Sequence, residues 1–239
     1  MTTVFPFSDS FLSRFFQKTP DMKAVYLLTC MSIILGSADS FGQSRIEGVK
    51  IGLNIADVSG STGYTENQSI STFSAGVFTS LDAGLFAIQP ELLYTTKGYK
   101  LTSKVELQDV GAPIPQTNTV VQTGHNSYLE IPILLKLNIP SSSFGIIKPN
   151  IFVGPAVAFE LRSKINVERS LQPLDNEEIP NSGSNDFGII LGVGADINLP
   201  AMTLLFDLRY DIGMKSLNFS QAPSQIKNRV FTLNAGIGM

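Results

Sequence analysis

The sequence has no tryptophan, one cysteine and one histidine in 239 residues. A single cysteine excludes a disulfide framework and a cysteine-built zinc site. A single histidine cannot supply a histidine metal cluster. Charge is also scarce: Asp, Glu, Lys and Arg make up 15% of the chain, where about a quarter is usual for a soluble domain. The signs nearly cancel, with 17 Lys and Arg against 20 Asp and Glu, so the basic excess of a nucleic-acid binder is missing. No apolar run reaches the roughly 20 residues of a membrane-spanning helix. What the chain does have is 43% hydrophobic residues, with 16 Phe and 20 Gly. That is too apolar for a disordered chain and long enough for one domain with an extra segment.

The longest apolar run is Ala24–Gly36, AVYLLTCMSIILG. Met22 and Lys23 precede it, and the small residues Gly36, Ser37, Ala38, Ser40 and Gly42 follow. A basic start, a short apolar core and a small-residue exit describe a secretory signal peptide. Residues 22–42 are therefore expected to be the signal, cut after Gly42 to leave Gln43 first, or else after Ala38. Residues 1–21 are expected to be an artefact of the assigned start, upstream of a true start at Met22. Mass spectrometry of the mature chain checks this. Cys30 lies inside the apolar core rather than at its end, so lipidation is not expected. The mature chain, residues 43–239, is then free of cysteine, which suits an oxidising compartment.

From Ile46 onward apolar residues alternate with polar or small ones, the pattern of strands with one apolar face. In EGVKIGLNIA, Val49, Ile51, Leu53 and Ile55 share one face, and Gly48, Lys50, Gly52 and Asn54 share the other. The pattern recurs around Phe73–Val77, Phe86–Tyr94, Leu129–Leu137, Ile147–Leu161, Phe187–Ile197, Met202–Ile212 and Phe231–Met239, giving eight candidate strands. The links after the second, fourth and sixth are short: SLDAG, IPSSSFG and NLPA. Those after the first, third, fifth and seventh are long and polar, roughly 58–70, 99–124, 163–185 and 215–227. An even strand number with short turns at one end and long loops at the other predicts an all-β fold. Specifically, it predicts an eight-stranded antiparallel up-and-down transmembrane β-barrel. Segments of about ten residues cross a bilayer when tilted.

An eight-stranded barrel can instead be a soluble, lipocalin-like ligand binder with the apolar face inside. The glycines argue against it. Gly48, Gly52, Gly76, Gly154, Gly188, Gly192, Gly194, Gly236 and Gly238 all lie on the polar face. The interior of eight strands is just wide enough for side chains to fill, so small residues belong on the inward face. The band of Leu, Ile, Val and Phe is then outward, and exposed to water it would far exceed the apolar patches of soluble monomers.

The inward face carries Lys50, Glu91, Glu130, Lys136, Lys148, Glu160, Asp196, Asp207, Arg209 and Asp211. Buried charges need partners, because desolvation costs several kcal/mol per ion. These ten are expected to form a structural polar network that plugs the lumen. Glu91 and Glu130 could be read as an acid/base pair, but Lys136 or Arg209 as a neutralising partner is the simpler account. Pro90, Pro132, Pro149 and Pro155 interrupt candidate strands and predict bulges. His125, in TGHNSY, is expected to be a solvated loop residue. Asp175, Glu177 and Glu178 form an acidic loop patch. Gly192-Val193-Gly194 is expected to serve lumen packing rather than phosphate binding. Tyr94, Tyr99, Phe159, Phe187, Phe206, Tyr210 and Phe219 are expected in the outward band or in interfacial girdles. Tyr128, of inward parity, is expected in the lumen.

The motifs GVKIGLN, IQPELLYTTKGY, YLEIPILLKL, FVGPAVAFEL and DFGIILGVGADI occur in this order. With them the chain resembles a Bacteroidota-type outer-membrane β-barrel domain family, the PorT-like or porin-family β-barrel proteins, over Ile46–Met239. The resemblance implies an eight-stranded outer-membrane barrel, usually of undefined molecular role; export through the periplasm is expected, and the residues give no expectation of a cofactor or of a catalytic or metal site. One departure is the ending TLNAGIGM, since such barrels commonly end in an aromatic residue read by the insertion machinery. The expected partners are outer-membrane lipid and lipopolysaccharide, the outer-membrane insertion machinery and an envelope protein. No nucleic acid is expected, and the default state is a monomer. The expected role is structural or interactive through long extracellular loops. A narrow passive pore for water or small solutes, or a soluble lipocalin-like ligand binder, is the alternative.

Overall fold

The structure, a computed structural model, describes residues 44–59, 66–107, 116–140, 145–169, 185–214 and 227–239. The expected signal peptide and upstream extension, Cys30, the acidic patch Asp175, Glu177 and Glu178, and Phe219 lie outside the described residues.

Among the described residues nine strands follow one another: β1 (Ser44–Ser59), β2 (Glu66–Gln68), β3 (Ile70–Asp82), β4 (Phe86–Leu107), β5 (Gln116–Asn138), β6 (Ile147–Arg169), β7 (Asp186–Asn198), β8 (Thr203–Gly213) and β9 (Lys227–Gly238). Apart from the three-residue β2, each pairs antiparallel with its sequence neighbours, and β1 pairs with β9. The result is a closed eight-stranded up-and-down barrel, which leaves no open edge to attract other strands. The seam is finished by reciprocal backbone hydrogen bonds between Glu47 and Met239, both 2.9 Å.

The short turns lie at one end. Gly84 and Gly145, in two of them, have φ of +87° and +55°, conformations that a side chain disfavours. The Asp82 carboxylate accepts the Gly84 N–H at 2.7 Å and fixes the first turn.

The apolar face points outward. Val49, Ile51, Leu53, Ile55, Phe73, Ile133, Val153, Leu191, Val193, Leu208 and Leu233 are all exposed, whereas Lys50, Asn54, Glu91, Glu130 and Arg209 are buried. Leu53 is 69% exposed and Glu91 0%, an inversion of a soluble protein that only a lipid surround accommodates. From Phe86 to Tyr94, Leu129 to Leu137 and Ile151 to Leu161, outward positions of β4, β5 and β6 carry no charge. These lengths match the nine to eleven residues of a tilted crossing strand.

Above this band the strands do not end. Parts of the stretches expected as loops, 99–124 and 163–185, are strand: β4 runs on to Leu107, β5 begins at Gln116 and β6 reaches Arg169. There the polarity reverses. Tyr99 and Leu101 are buried at 1% and 0% exposure, so the apolar side chains now fill the interior, as in a soluble β-structure. Tyr99 is therefore an interior residue and not a girdle one. His125 is on β5, opposite Gly98 and Lys164, and not in a loop. The short β2 joins the edge of this extension, Glu66–Gln68 against Thr102–Lys100.

The prolines do not produce bulges. Pairing lapses where Pro90 faces β3, where Pro132 faces β4 and where Pro155 faces β5, but the register is the same on both sides of each lapse. Proline removes one donor on one side of its strand, and the barrel gives up local pairing there without adding a residue. Pro149 pairs in register with Ala195. The register shift that does occur is at Ser127/Tyr128, where Leu161 is the extra residue on β6.

Gly154 sits at one of these lapses. A Cβ there would lie 2.0 Å from the Ile133 carbonyl oxygen, a backbone atom that cannot turn away. Gly154→Ala is expected to lower stability by about 1–3 kcal/mol, the usual range for overpacking. The midpoint of urea unfolding in detergent measures it.

Candidate functional site

The lumen holds charged side chains in layers. At mid-height, Lys50 on β1, Glu91 on β4 and Asp207 and Arg209 on β8 converge on the axis. Lys50 Nζ donates to Glu91 Oε1 at 2.8 Å and to Asp207 Oδ2 at 2.6 Å. Arg209 grips Glu91 with both Nη atoms, at 2.7 and 2.8 Å, and Asp207 Oδ2 at 2.7 Å. The two-point grip on a carboxylate is the strongest form of such a pair. Gln89 Nε2 adds a further donor to Glu91 at 2.6 Å.

Toward the short-turn end the chain continues. Lys136 donates to the Gln89 side-chain oxygen at 3.2 Å and to both oxygens of Asp196 at 3.0 and 2.8 Å. Asp196, Lys136, Gln89 and Glu91 are thus one continuous network. Toward the loop end, Lys97 on β4 pairs with Glu130, at 3.2 Å, and with Asp211. Three of the lumen cations also stand over rings: Lys50 over Phe78 at 5.2 Å, Lys97 over Tyr128 at 5.8 Å and Arg209 over Phe152 at 5.5 Å. Cation–π contact strengthens as water is removed.

Small residues make this convergence possible. A Cβ on Gly194 would lie 2.8 Å from both Asn150 Oδ1 and Asp207 Oδ1. One on Gly192 would lie 2.5 Å from the Phe152 ring that covers Arg209. The glycine pair of β7 is therefore the space into which side chains of the flanking β6 and β8 extend.

Nine of the ten expected lumen charges are buried among the described residues: Lys50, Glu91, Glu130, Lys136, Glu160, Asp196, Asp207, Arg209 and Asp211. Lys148 is not. Its side chain is 49% exposed and reaches Asp82 at 3.4 Å on the short-turn rim, because β6 begins only one residue earlier, at Ile147. Glu91 and Glu130 do not form a pair. Glu91 belongs to Lys50 and Arg209, and Glu130 to Lys97 rather than to Lys136 or Arg209. Lys97 and the buried Asp186 were not singled out from sequence. The signal for Lys97 was its parity: it stands six residues after Glu91 on one strand, and a period of two puts both side chains on one face.

A cavity of about 20 Å³, lined in part by Asn54, Thr95, Lys97, Glu130, Arg209 and Asn234, lies between the middle and upper clusters. That is room for about one water molecule. Beside it Asn54 bridges the strands, donating to Thr95 Oγ1 at 3.1 Å and accepting from Thr232 Oγ1 at 3.0 Å.

Residues 41–218 match the family model described as outer membrane protein beta-barrel domain. The chain belongs to that outer-membrane β-barrel family. Its place in the outer membrane follows from this membership and from the exposed apolar band. Solved barrels of similar fold include Neisserial surface protein A, at 18% identity and TM-score 0.40, covering 83% of this chain and 98% of that one. Another is OprG of Pseudomonas aeruginosa, at 11% identity and TM-score 0.42, covering 81% and 93%. A third is Ail, the attachment invasion locus protein of Yersinia pestis, solved with the heparin analogue sucrose octasulfate. It is 12% identical at TM-score 0.38, covering 82% and 99%. No curated protein matches the chain. In this outer-membrane barrel the cross-lumen pairs do two chemical jobs: they neutralise charge where water is excluded, and they tie β1, β4 and β8 together across the axis.

Proposed function

We propose that the protein is a plugged outer-membrane barrel that works as a scaffold, without catalysis, and acts through the structures at its loop end. The observation that carries this reading is the interlocked set of Lys50, Glu91, Asp207 and Arg209 across the full width of the lumen. A channel for solutes needs an open path. Here the path is filled by paired ions whose separation would leave charge unpaired in a dry interior. The rigid barrel then serves to present the β4–β5 hairpin and the extended β6 beyond the membrane, where an envelope protein partner can be met. Export by a signal peptide at residues 22–42 and descent from the PorT-like, Bacteroidota-type branch belong to the same proposal, supported by the sequence motifs.

Planar-bilayer recording tests it. Refolded protein is expected to produce no discrete conductance steps. Regular steps from the pure protein would establish an open pore instead. A second reading has one observation behind it. Arg209 Nε, Asp211 Oδ1 and Asn234 Nδ2 have no hydrogen-bond partner and are buried, and all three residues line the small cavity. Polar atoms in such a space suit a bound water, so the lumen can hold single waters even while it excludes solutes. Stopped-flow light scattering of proteoliposomes separates a water path from a sealed plug.

A further inference from the structure

We propose that the upper lumen holds a proton-binding site, in which Glu130 on β5 and Asp211 on β8 share one proton beside Lys97. The two acids are 5% and 6% exposed. Both accept from the Lys97 ammonium, Glu130 at 3.2 Å. Their carboxyl groups also lie within hydrogen-bonding reach of each other. An ionised carboxylate accepts hydrogen bonds and cannot donate one, and two in contact away from water do not both stay ionised. One proton resolves the conflict. The protonated acid donates to the ionised one, and Lys97 donates to both.

The charges of the lumen point to the same place. At mid-height two cations, Lys50 and Arg209, meet two carboxylates, Glu91 and Asp207. Below them Lys136 meets Asp196. Each of these groups is neutral as it stands. Above, among the described residues, Lys97 serves both Glu130 and Asp211, and Asp186 on β7 acts on the same lysine. Asp186 takes hydrogen bonds from the Asn228 amide and the Phe187 N–H, neither of which carries charge. Tyr128 on β5 has Lys97 over its ring and lies opposite Glu160 on β6, which has interactions of its own. Arg209, two residues from Asp211 on β8, is committed to Glu91 and Asp207. Among the described residues β1, β3 and β9 bring no charged side chain to the adjoining cavity.

A proton fits this place better than a metal ion or a water. Asp211 lines the cavity of about 20 Å³, and its Oδ1 is buried with no hydrogen-bond partner among the described residues. The other such atoms of residues lining that space are Arg209 Nε and Asn234 Nδ2, and both are donors. A metal ion there would meet a guanidinium. A water suits all three atoms but leaves the charge of the carboxylates as it was. A proton needs no volume, and it removes one charge where an unpaired buried ion costs several kcal/mol.

The inference rests on the buried lumen and not on the scaffold role, so silence or activity in conductance recordings leaves it unaffected. The full chain, refolded in an ester-free detergent, is followed by infrared difference spectroscopy through a pH titration. The carbonyl band of a protonated carboxylic acid is expected to persist at neutral pH, above the ordinary carboxylate range of about 4, and to vanish in both E130Q and D211N. The folded barrel then holds a proton that the unfolded chain releases, so stability falls as pH rises. Over the range in which the band persists, the urea unfolding constant is expected to rise about ten-fold more per pH unit in the wild type than in E130Q. D211N reads the same proton should E130Q not fold. Absence of the band from the wild type at neutral pH, its survival in either variant, or a pH slope that neither variant reduces would each overturn the proposal. So would sodium or magnesium chloride that, at constant pH, abolishes the band while stabilising the wild type, since the occupant would then be a metal ion.

Discussion

Glu91→Ala is expected to destabilise the barrel by about 3–5 kcal/mol, the cost of breaking a buried ion pair by removing one partner. Glu91 is fully buried and takes hydrogen bonds from Lys50, Gln89 and both Nη atoms of Arg209. Without it, two cations share Asp207 alone. The size of the effect comes from the charge left behind, which the double variant E91L/R209M reveals. It removes one charge of each sign and leaves Lys50 with Asp207 at 2.6 Å. The double variant is therefore expected to be more stable than Glu91→Ala alone. Urea unfolding in lipid vesicles, followed by cold gel migration, measures both. If the two variants lose equally, the cluster is wet and its pairs contribute little.

The barrel was legible in the sequence because one physical rule repeats along it. Lipid outside and a crowded interior force a period of two: every outward position of Val49–Ile55, Leu129–Leu137 and Phe187–Ile197 is apolar, and only Leu134 and Ile190 put a large apolar side chain on the inward face of these stretches. The same rule explains what was not legible. Above the membrane both the solvent and the interior change character, so Tyr99 and Leu101 face inward where Leu92 and Tyr94 face out. The alternation changes phase, and a strand of 22 residues, Phe86–Leu107, reads as a strand of ten and a loop. Lys97 falls in that change of phase, which is why it was missed while Lys50, of unbroken parity, was not. Lys148 shows the converse: its parity is inward, but at a strand end the lumen opens and an inward side chain reaches solvent. The partner choice of each lumen ion was also out of reach, since it depends on the heights of non-neighbouring strands around the ring. Lys50 on β1 meets Asp207 on β8, 157 residues away, a contact set by shear and not by spacing in the chain.

The outward face gives the second large effect. Leu233→Arg is expected to lower stability in a bilayer by about 2–4 kcal/mol, the range for a cation at the midplane of an outer-membrane barrel. Leu233 is 55% exposed, and the register sets it between Leu53 on β1 and Leu208 on β8. Its row is apolar on both sides, with no carboxylate or carbonyl-rich rim to receive the charge. An arginine there can only snorkel or drag water into the acyl region. The cost should fall along the same strand: Phe231→Arg lies two residues nearer the loop-end rim, beside the native Arg229, and is expected to lose less. This gradient separates the two possible environments for the face. A soluble barrel whose apolar face met water would gain from either arginine, and a carrier with that face inside would lose most at whichever site is most enclosed. Only a lipid layer makes the penalty depend on depth, so the ordering of the two variants in vesicles, and its disappearance in small detergent micelles that thin around a charge, reads the membrane directly.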